Sequence, residues 1–375
     1  MKVFYPYSEL LPSEKARALQ VVNTCYGLAK AGLDTKLYAG LKKSRLDILK
    51  YYGLRPIPNL SFISAPLLRE FRLFGFKFSW EGIFKHNCIG YLKREKENFF
   101  IYTRHLKIAF SLLKKFPHLP LIYEAHEIFF LTKKNLFSLE DFVLSNSKGL
   151  VFITHSLRKK VEEFFTLKAP SVVIPDGVNL ELIEEAKKKA LEGEIVYVGQ
   201  LYPWKGVKTL ARAMVYLPGV KLTMVGGGSD KEREEIERIV DELKLKDRVK
   251  LTGFLPYFEA LRFMTGARVL VLPLEDEPIA RYFTSPLKLF EYMASAVPIV
   301  ASDLPTIREI LRPEETGILV KPGDERVLAE AIARLLKDKS LSQTIANKAY
   351  HLSREYSWKK RAERIAHFIK ENLCP

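Results

Sequence analysis

Residues 194–207 have the sequence EIVYVGQLYPWKGV, in which a short apolar strand pattern ends at a glycine and leads into a helix pattern. The same order of strand, turn and helix recurs along the chain, because β-branched runs alternate with amphipathic segments. That alternation is typical of parallel strands joined by crossover helices. The sequence therefore predicts an α/β protein with doubly wound parallel sheets.

The predicted elements fall into two series. The first opens with a strand over 2–5, a helix over 13–31 and a strand over 35–38. A turn at 174–179 (IPDGVN) closes it, and a charged helix or linker over 180–191 precedes the restart at 194. The other predicted strands are 60–63, 98–102, 119–123, 149–153, 171–174, 194–198, 221–225, 249–251, 269–272, 298–301 and 317–320. The other predicted helices are 229–244, 257–265, 286–296 and 305–311.

The length predicts two domains, since 375 residues exceed what one hydrophobic core usually organises. We expect a first domain over 1–180, a linker over 181–193, a second domain over 194–352 and a closing helix over 353–375. Open sheets of this type bind ligands beyond the carboxyl ends of their strands. Two such domains in tandem imply a cleft between them.

Composition narrows the class of protein. Hydrophobic residues make up 47%, as in folded globular proteins, and no run approaches the ~18 apolar residues of a spanning helix. Met1 leads directly into a strand pattern, so no signal peptide is predicted. Cys25, Cys88 and Cys374 lack metal-type spacing, which favours a reducing cytosolic compartment. Charged residues make up 28% of the chain and glutamines number only three, a ratio of charged to uncharged polar residues that is typical of a thermophile.

The net charge of +16 is concentrated in the first half of the chain. Residues 1–180 hold 28 Lys and Arg against 15 Asp and Glu, which gives +13 and leaves +3 for the rest. Such a half suits an anionic partner, namely a membrane surface, a phosphorylated acceptor or nucleic acid. No nucleic-acid reader motif accompanies the charge, so nucleic acid is not expected.

Residues 68–100 mix aromatic and basic side chains densely. Phe78, Phe84 and Phe99, for example, alternate with Arg72 and Lys85. This mixture suits a patch that lies at an anionic membrane surface. The alternative is that the aromatic residues belong to the core while the lysines coat a solvated face.

Residues 282–296 (YFTSPLKLFEYMASA) predict a helix whose start can bind an anion. Ser285 is a good N-cap, and Pro286 suits the first helical position. The amides of Leu287 and Lys288 would then point outward at the positive end of the helix dipole. Glu291 lies one turn further on and is placed to accept hydrogen bonds from ribose hydroxyls. The alternative is an ordinary capped helix with a solvated Lys288–Glu291 pair.

Further candidate contacts follow other strands of the second half. Gly199 would let a ligand approach the backbone, and Lys205 could meet a diphosphate as a point charge, although a plain surface turn also explains them. The glycines at 226–228 lack the spacing of a phosphate loop, so a flexible turn is predicted there. Gly253 and Phe254 could surround a nucleobase, or could simply form a buried turn.

In the first half, His126 and Arg104 each follow an apolar strand, where active-site residues of α/β sheets gather. A lone histidine is more often structural than catalytic, and Arg104 is the weaker candidate. The acidic run at 275–277 has no histidine or cysteine near it in the sequence, so no metal site is predicted.

Together these motifs resemble the retaining GT-B glycosyltransferases of glycosyltransferase family 4. The resemblance covers nearly the whole chain and is strongest over 194–322. The motifs that carry it are VGQL at 198–201 with Lys205-Gly206, IPDGV at 174–178, VGGG at 225–228, LTG at 251–253, TSPLKLFEYMA at 284–294 and PIVAS at 298–302, with YSW at 356–358 beginning the family's last helix.

The resemblance implies two Rossmann-like domains that face a central cleft, with the acceptor held by the first domain and the nucleotide sugar by the second. The last helix crosses back to the first domain. It also implies retention of anomeric configuration, without a metal or any cofactor beyond the donor substrate. For this chain we expect a lipid-linked, phosphorylated or polysaccharide acceptor in cell-envelope glycan synthesis. The expected location is the cytoplasmic face of the membrane, peripherally bound.

The resemblance also implies roles for individual residues, according to their positions in the matching motifs. Lys205 would bind the donor diphosphate, the amides at 286–288 would cap it, Glu291 would hold the ribose, and His126 matches the family's histidine near the donor sugar. The acceptor or donor-sugar side would include Ser13, Lys15, Arg104, Phe283 and Thr284.

Two positions and one loop depart from the family pattern. Gln200 stands where many members have an arginine, and Phe283 where the first of two glutamates is usual. The first loop has SEKAR at 13–17 in place of the common Gly-Gly. Two alternatives stay open: a nucleotide-sugar epimerase, which needs no acceptor site, and a non-catalytic, membrane-associated nucleotide-binding protein.

Overall fold

The computed structural model describes residues 1–66, 71–73, 76–78, 80–95 and 99–373. In it the chain forms two compact units. The first holds Met1–Pro175 together with Trp358–Pro375, and the second holds Asp176–Ser357. Each unit is built on its own parallel sheet, which confirms the predicted doubly wound α/β class.

The first unit contains the strands β1 (Lys2–Leu11), β2 (Asp34–Leu41), β3 (Leu60–Ser64), β4 (Phe71–Leu73), β5 (Phe76–Phe78), β6 (Phe100–Thr103), β7 (Leu121–Ala125), β8 (Gly149–Phe152) and β9 (Ser171–Val173). Seven of them form a parallel sheet in the order β3-β2-β1-β6-β7-β8-β9. β4 and β5 form a separate antiparallel pair. The direction of winding reverses between β1 and β6, where ligands of such sheets bind.

The helices of the first unit cover both faces of this sheet. They are α1 (Ala16–Lys30), α2 (Arg45–Tyr51), α3 (Trp80–Arg94), α4 (Leu106–Lys115), α5 (Phe129–Thr132), α6 (Phe137–Asn146) and α7 (His155–Glu162), followed at the end of the chain by the C-terminal helix (Trp358–Leu373). A 3-10 turn covers Lys134–Leu136.

The C-terminal helix completes the core of the first unit. Its residues Ala362, Ile365 and Ile369 are buried in the same apolar cluster as α1. The two helices approach closely at Gly27, where an added Cβ would lie 2.7 Å from the carbonyl oxygen of Trp358. Glycine is therefore required at this crossing.

The strands of the second unit are β10 (Gly193–Val198), β11 (Leu222–Val225), β12 (Val249–Leu251), β13 (Ala267–Leu272), β14 (Ile299–Ser302) and β15 (Ile318–Val320). All pair in parallel, in the order β12-β11-β10-β13-β14-β15. Successive side chains of β10 enter opposite cores, with Val196 and Val198 in one cluster and Ile195 and Tyr197 in the other. The first strand of this unit is thus central and buried on both faces.

The helices of the second unit are α8 (Leu180–Lys187), α9 (Val207–Ala213), α10 (Asp230–Glu242), α11 (Tyr257–Thr265), α12 (Pro278–Tyr282), α13 (Leu287–Ala294), α14 (Pro305–Arg308), α15 (Glu325–Lys337) and α16 (Lys339–Ser353). Further 3-10 turns cover Pro203–Lys205, Met214–Tyr216 and Arg354–Tyr356.

The boundary between the units differs from the one expected. The second unit begins at Asp176, and α8 lies largely within the range 181–193 that we assigned to a linker. Its Leu182, Ile183 and Ala186 are buried in a second-unit core. The charged residues of this segment suggested a solvated connection, but they occupy only the outer face of an amphipathic helix.

Candidate functional site

The loops after β10, β11 and β12 lie side by side at the carboxyl edge of the second sheet. The Leu201 amide donates to the Gly227 carbonyl (3.0 Å), and the Gly226 amide donates to the Gly253 carbonyl (3.1 Å). Beside them, the ring of Phe254 is 46% exposed. Two segments predicted to contact a nucleotide, at 199–201 and 253–254, are therefore held together through the glycine turn at 226–228.

The structure explains why position 199 is a glycine, for a reason that the sequence did not suggest. An added Cβ there would lie 2.7 Å from the Tyr197 hydroxyl. That hydroxyl donates to the carbonyl oxygen of Gln200 (2.6 Å) and so ties the turn to its own strand. The absence of a side chain at 199 makes room for Tyr197, whether or not a ligand approaches.

Lys205 ends the 3-10 turn that follows β10. Its Nζ lies 3.8 Å from the centroid of the Trp204 ring, within reach of a cation–π interaction. Among the residues that the structure describes, no carboxylate pairs with this half-buried ammonium. Burial, and then the positive charge of Lys288, lower the pKa of Lys205 from 10.5 to about 7. The site thus holds a cation without a counter-charge.

The start of α13 differs from the prediction in one respect. Ser285 does not cap the helix, and Pro286 precedes the first helical residue, Leu287. The Ser285 hydroxyl instead accepts a hydrogen bond from the Asp176 amide at 3.0 Å. Within the described residues, the amides of Leu287 and Lys288 donate to no other backbone group. The anion-binding potential of the helix start is therefore retained without the expected cap.

Glu291 is buried, with 2% of its side chain exposed. One carboxylate oxygen accepts from the Tyr257 hydroxyl (2.7 Å), and the other lies 2.6 Å from Nζ of Lys288. The predicted proximity of Lys288 and Glu291 is confirmed, and Tyr257 is a partner that the sequence did not indicate. Each oxygen keeps one further lone-pair direction for a ligand hydroxyl.

Phe283 and Thr284 occupy the short connection between α12 and α13. Both side chains are partly buried, and the Phe283 ring contacts the ring of Tyr282 at 5.9 Å. Their role toward a donor sugar stays a prediction.

In the first unit, His126 follows β7 and reaches a fully buried carboxylate. His126 Nε2 lies 2.6 Å from Glu124 Oε1. Burial, and then the nearby Arg104 charge, lower the pKa of His126 to about 4 against the opposing effect of Glu124. His126 is therefore a neutral imidazole near pH 7.

Arg104 lies on the same network. Its Nη1 donates to Gln20 Oε1 at 3.0 Å, and Gln20 Nε2 donates to Glu124 Oε1 at 2.6 Å. The structure thus brings together His126 and Arg104, which sequence reasoning placed only at the ends of separate strands.

Ser13 and Lys15 lie in the loop before α1, and both have protein partners. The Ser13 amide donates to the Tyr52 hydroxyl (2.9 Å), and Lys15 Nζ pairs with Glu9 (3.2 Å). Their assignment to an acceptor or donor sugar stays a prediction.

In the first unit, several buried polar side-chain atoms lack a hydrogen-bond partner among the described residues. They include the hydroxyls of Tyr5 and Tyr7 and the Nε2 atom of His105, whose ring lies 5.4 Å from that of Tyr7. Burial, and then the charge of Arg104, lower the pKa of His105 to about 3. Because unpaired buried polar groups are costly, a polar ligand or water is expected among them.

The aromatic and basic segment 68–100 lies partly outside the described residues, as does Cys374. Within the described part, Phe84 and Phe99 are 0% and 5% exposed, so these two rings belong to the core and not to a membrane patch. Cys25 and Cys88 are buried free thiols. No helix of the described residues is long and apolar enough to cross a membrane, and no cluster of three His, Cys, Asp or Glu in them is arranged to hold a metal ion.

This combination of two parallel-sheet units is the fold of the GT-B proteins. Sucrose-phosphate synthase from Thermosynechococcus elongatus is similar over 99% of this chain and 98% of its own, with a TM-score of 0.78 and 20% identity. HepE from Anabaena, solved in complex with UDP and glucose, is similar over 99% of this chain and 100% of its own, with a TM-score of 0.75 and 18% identity. At these identities the likeness shows the fold.

A part of the chain also matches a family by sequence. Residues 178–352, nearly all of the second unit, match the model of the family described as Glycosyl transferases group 1. Phosphatidyl-myo-inositol mannosyltransferase from Mycobacterium leprae is 30% identical over 213 residues, which cover 53% of this chain and 53% of the relative. The chain spans about half or less of the lengths of the curated relatives that it matches first, at 22%, 45% and 53%. The family resemblance and the GT-B fold are confirmed.

Proposed function

We propose that this protein is a glycosyltransferase that moves a sugar from a nucleotide-diphosphate donor to a lipid-linked, phosphorylated or polysaccharide acceptor, with retention of configuration. The observation that carries the proposal is the unpaired Lys205 ammonium, which lies within the residues matched to the group 1 family. The proposed reaction needs no metal ion, and the nucleotide sugar is its donor substrate.

The chemistry of the donor explains why such a cation is useful. Breaking the bond between sugar and nucleotide develops negative charge on the leaving diphosphate and positive charge on the sugar. Once the donor is bound, protonated Lys205 and the amides of Leu287 and Lys288 supply positive charge before the bond breaks, so they stabilise the leaving group as its charge grows. The leaving phosphate accepts the proton of the attacking acceptor hydroxyl, so the bond to the acceptor forms without a side-chain base.

The proposed function is tested in two steps. A thermal-shift screen across UDP-, GDP- and ADP-sugars identifies the donor, because a bound donor raises the melting temperature by mass action. Release of the nucleotide is then followed with and without candidate glycan acceptors. Release that depends on acceptor supports a transferase, whereas conversion of the sugar without release supports an epimerase. No stabilisation by any nucleotide sugar would contradict the proposal.

Glu291→Ala is expected to weaken the binding of the nucleoside diphosphate by about tenfold to a hundredfold. The reason is the loss of charge-assisted hydrogen bonds to ribose, each worth about 1.5 to 3 kcal/mol. Titration calorimetry measures the affinity directly. Tyr257→Phe is the matched control, because it removes the hydrogen bond at 2.7 Å but keeps the carboxylate. An affinity that is unchanged in Glu291→Ala would refute the ribose role.

We assign the acceptor side to the first unit, because most of its sequence is strongly basic. Residues 1–180 carry a net charge of +13, which suits a phosphorylated or lipid-linked acceptor at an anionic cytoplasmic membrane face. A small exposed aromatic patch supports this assignment. Leu131, Phe137 and Phe164 are 43%, 43% and 40% exposed, and Lys160 Nζ lies 5.5 Å from the Phe164 ring.

This patch is held in place by its own packing. The Phe130 ring contacts Phe137 and Phe164 edge to face, each at 5.1 Å. The carboxylate of Glu140 accepts hydrogen bonds from the amides of Phe129 and Phe130, both at 3.0 Å, and so fixes the start of α5, which carries Leu131 of the patch. Aromatic side chains flanked by lysines are suited to the interface of an anionic bilayer.

The double variant Phe137→Ser/Phe164→Ser is expected to reduce cosedimentation with anionic phospholipid vesicles by about tenfold, since two apolar side chains no longer enter the interface. Binding of the wild type should also weaken as salt is raised. Leu46→Ser is the control, because Leu46 is 61% exposed in the first unit but lies outside the patch. Equal binding of the double variant and the control would remove the patch from the proposal.

A further inference from the structure

Glu124 is the centre of a buried network in the first unit. The side chain is 0% exposed. Its Oε1 accepts from Gln20 Nε2 (2.6 Å) and lies 2.6 Å from His126 Nε2. Its Oε2 accepts from the Tyr102 hydroxyl and from Arg361 Nη2 (2.7 Å).

This arrangement fixes the charge of Glu124. Burial by itself raises the pKa of the carboxyl, but the Arg361 guanidinium and the hydrogen bonds from His126 and Tyr102 outweigh it and hold the pKa well below its usual range. The carboxylate is therefore ionised near neutral pH. An ionised carboxylate only accepts hydrogen bonds, so each of its four partners must donate.

The consequence for His126 is a defined tautomer. Its Nε2 must carry the proton that is shared with Glu124, and in a neutral imidazole the Nδ1 atom is then an acceptor. No described residue donates to Nδ1, and 10% of the side chain is exposed. The atom that His126 can offer to a ligand is therefore a lone pair, suited to a sugar hydroxyl.

We propose that Glu124, held by Arg361 of the C-terminal helix, is a positioning residue that fixes His126 with its proton on Nε2 and its Nδ1 turned toward a sugar hydroxyl. This inference rests on the proposed glycosyltransferase function. No atom of Glu124 meets substrate in this role, since all four of its contacts are to the protein. What it supplies is the tautomer and the ring orientation, as carboxylates do for histidines in other sites.

Gln20 extends the same network to Arg104. Its amide nitrogen donates to Glu124, while its amide oxygen accepts from Arg104 Nη1 (3.0 Å), so both ends of the amide are assigned by their partners. Arg361 is fixed in turn by Thr24 Oγ1 and the Pro175 carbonyl, each at 3.0 Å. The charged and titratable groups that act on His126 are therefore Glu124, Arg104, Arg361 and the neighbouring His105.

The tautomer is tested on the intact wild-type protein. Histidine labelled with ¹⁵N in the ring gives separate nitrogen signals for protonated and unprotonated positions, and the spectrum of His126→Gln assigns the signals of His126. We expect a neutral ring with the proton on Nε2, unchanged between about pH 8 and pH 6. A proton on Nδ1, or a charged ring at pH 7, would overturn the proposal.

A pair of substitutions then distinguishes a positioning role of Glu124 from a purely structural role in folding. Glu124→Met or Arg361→Met alone leaves a buried partner unpaired, whereas Glu124→Met/Arg361→Met removes both charges together with the oxygen that accepts from His126, and is expected to regain much of the stability lost in the single variants. If Glu124 acts only in folding, the double variant also regains kcat. If it positions His126, kcat stays about 100-fold below wild type, while KM for the donor changes less than threefold.

The two proposals fail differently. Absence of acceptor-dependent nucleotide release in the wild type would contradict the glycosyltransferase function and leave the tautomer measurement valid. Wild-type kcat in the double variant would overturn the positioning role while the transferase activity stands.

Discussion

Lys205→Ala is expected to lower the turnover number of the transferase by about 100-fold or more. In the proposed reaction the substitution removes the cation that stabilises charge on the leaving diphosphate. Because Gln200 stands where many related proteins have an arginine, fewer charges are left to compensate. Initial rates of nucleotide release with saturating donor and acceptor give the measurement. Lys208→Ala is the matched control, since it removes a lysine three positions away that pairs with Glu235 instead. Wild-type turnover in Lys205→Ala would contradict the assignment.

The same lysine gives donor binding a dependence on pH. In the unliganded protein the pKa of Lys205 is lowered to about 7, and we expect a bound diphosphate to raise it because the anion favours the protonated form. Affinity for a nucleotide sugar is therefore greatest below about pH 7 and falls as pH rises above it, where binding must take up a proton. Calorimetry from about pH 6 to pH 9, in buffers with different heats of ionisation, measures both effects. Lys205→Arg should abolish the fall, because arginine stays protonated.

Arg361→Met is expected to destabilise the first unit by about 3 to 5 kcal/mol, since it leaves the buried Glu124 carboxylate without its cation. The side chains of Arg361 and Glu124 are 2% and 0% exposed, so water cannot replace the lost partner. Urea denaturation followed by circular dichroism measures the change. Lys359→Met, on the same helix but with 70% of the side chain exposed, should change stability by less than about 1 kcal/mol. Equal changes in the free energy of unfolding for the two substitutions would contradict the stabilisation that we assign to the ion pair.

The pH dependence of this contribution has a definite sign. The folded-state pKa of Glu124 lies well below its usual value of 4.5. The stabilisation is therefore complete above about pH 4.5 and is lost as pH falls toward the depressed folded-state pKa. Arg361→Met should lose less stability than the wild type on acidification, because its carboxylate has no strong partner to forfeit.

The strands and the class of fold were predictable because they depend on short-range patterns. Apolar runs and glycine turns placed most strands of both sheets to within about three residues, and α11 was predicted at its observed bounds, 257–265. The end of β1 was predicted wrongly, at 5 instead of Leu11. The start of α13 was predicted less well. Ser285 satisfied every local rule for a cap, yet its hydroxyl is used by the amide of Asp176, a residue 109 positions earlier. Local rules cannot anticipate a partner that only tertiary structure supplies.

The network around His126 shows the same limit more strongly. The position of His126 directly after a buried strand was a usable signal for a functional residue. Glu124 lies two residues earlier, and residues two apart along an extended chain point to the same side. Its other partners were not readable from sequence, because Gln20 and Arg361 lie 104 and 237 residues from Glu124. The prediction of a membrane patch was wrong for Phe84 and Phe99 for a related reason. A dense aromatic composition does not show which rings fill a core.

The division of the first unit between the two ends of the sequence has a consequence for biosynthesis. The ribosome makes residues 1–175 first, but Gly27 cannot meet Trp358, nor Glu124 its arginine, until all of the second unit has been translated. The second unit is continuous and can fold as soon as it emerges, whereas the first must wait with a charged side chain unpaired inside it. During synthesis the first unit therefore stays incomplete, with part of its apolar cluster uncovered, until the helix Trp358–Leu373 has been made and packs against α1.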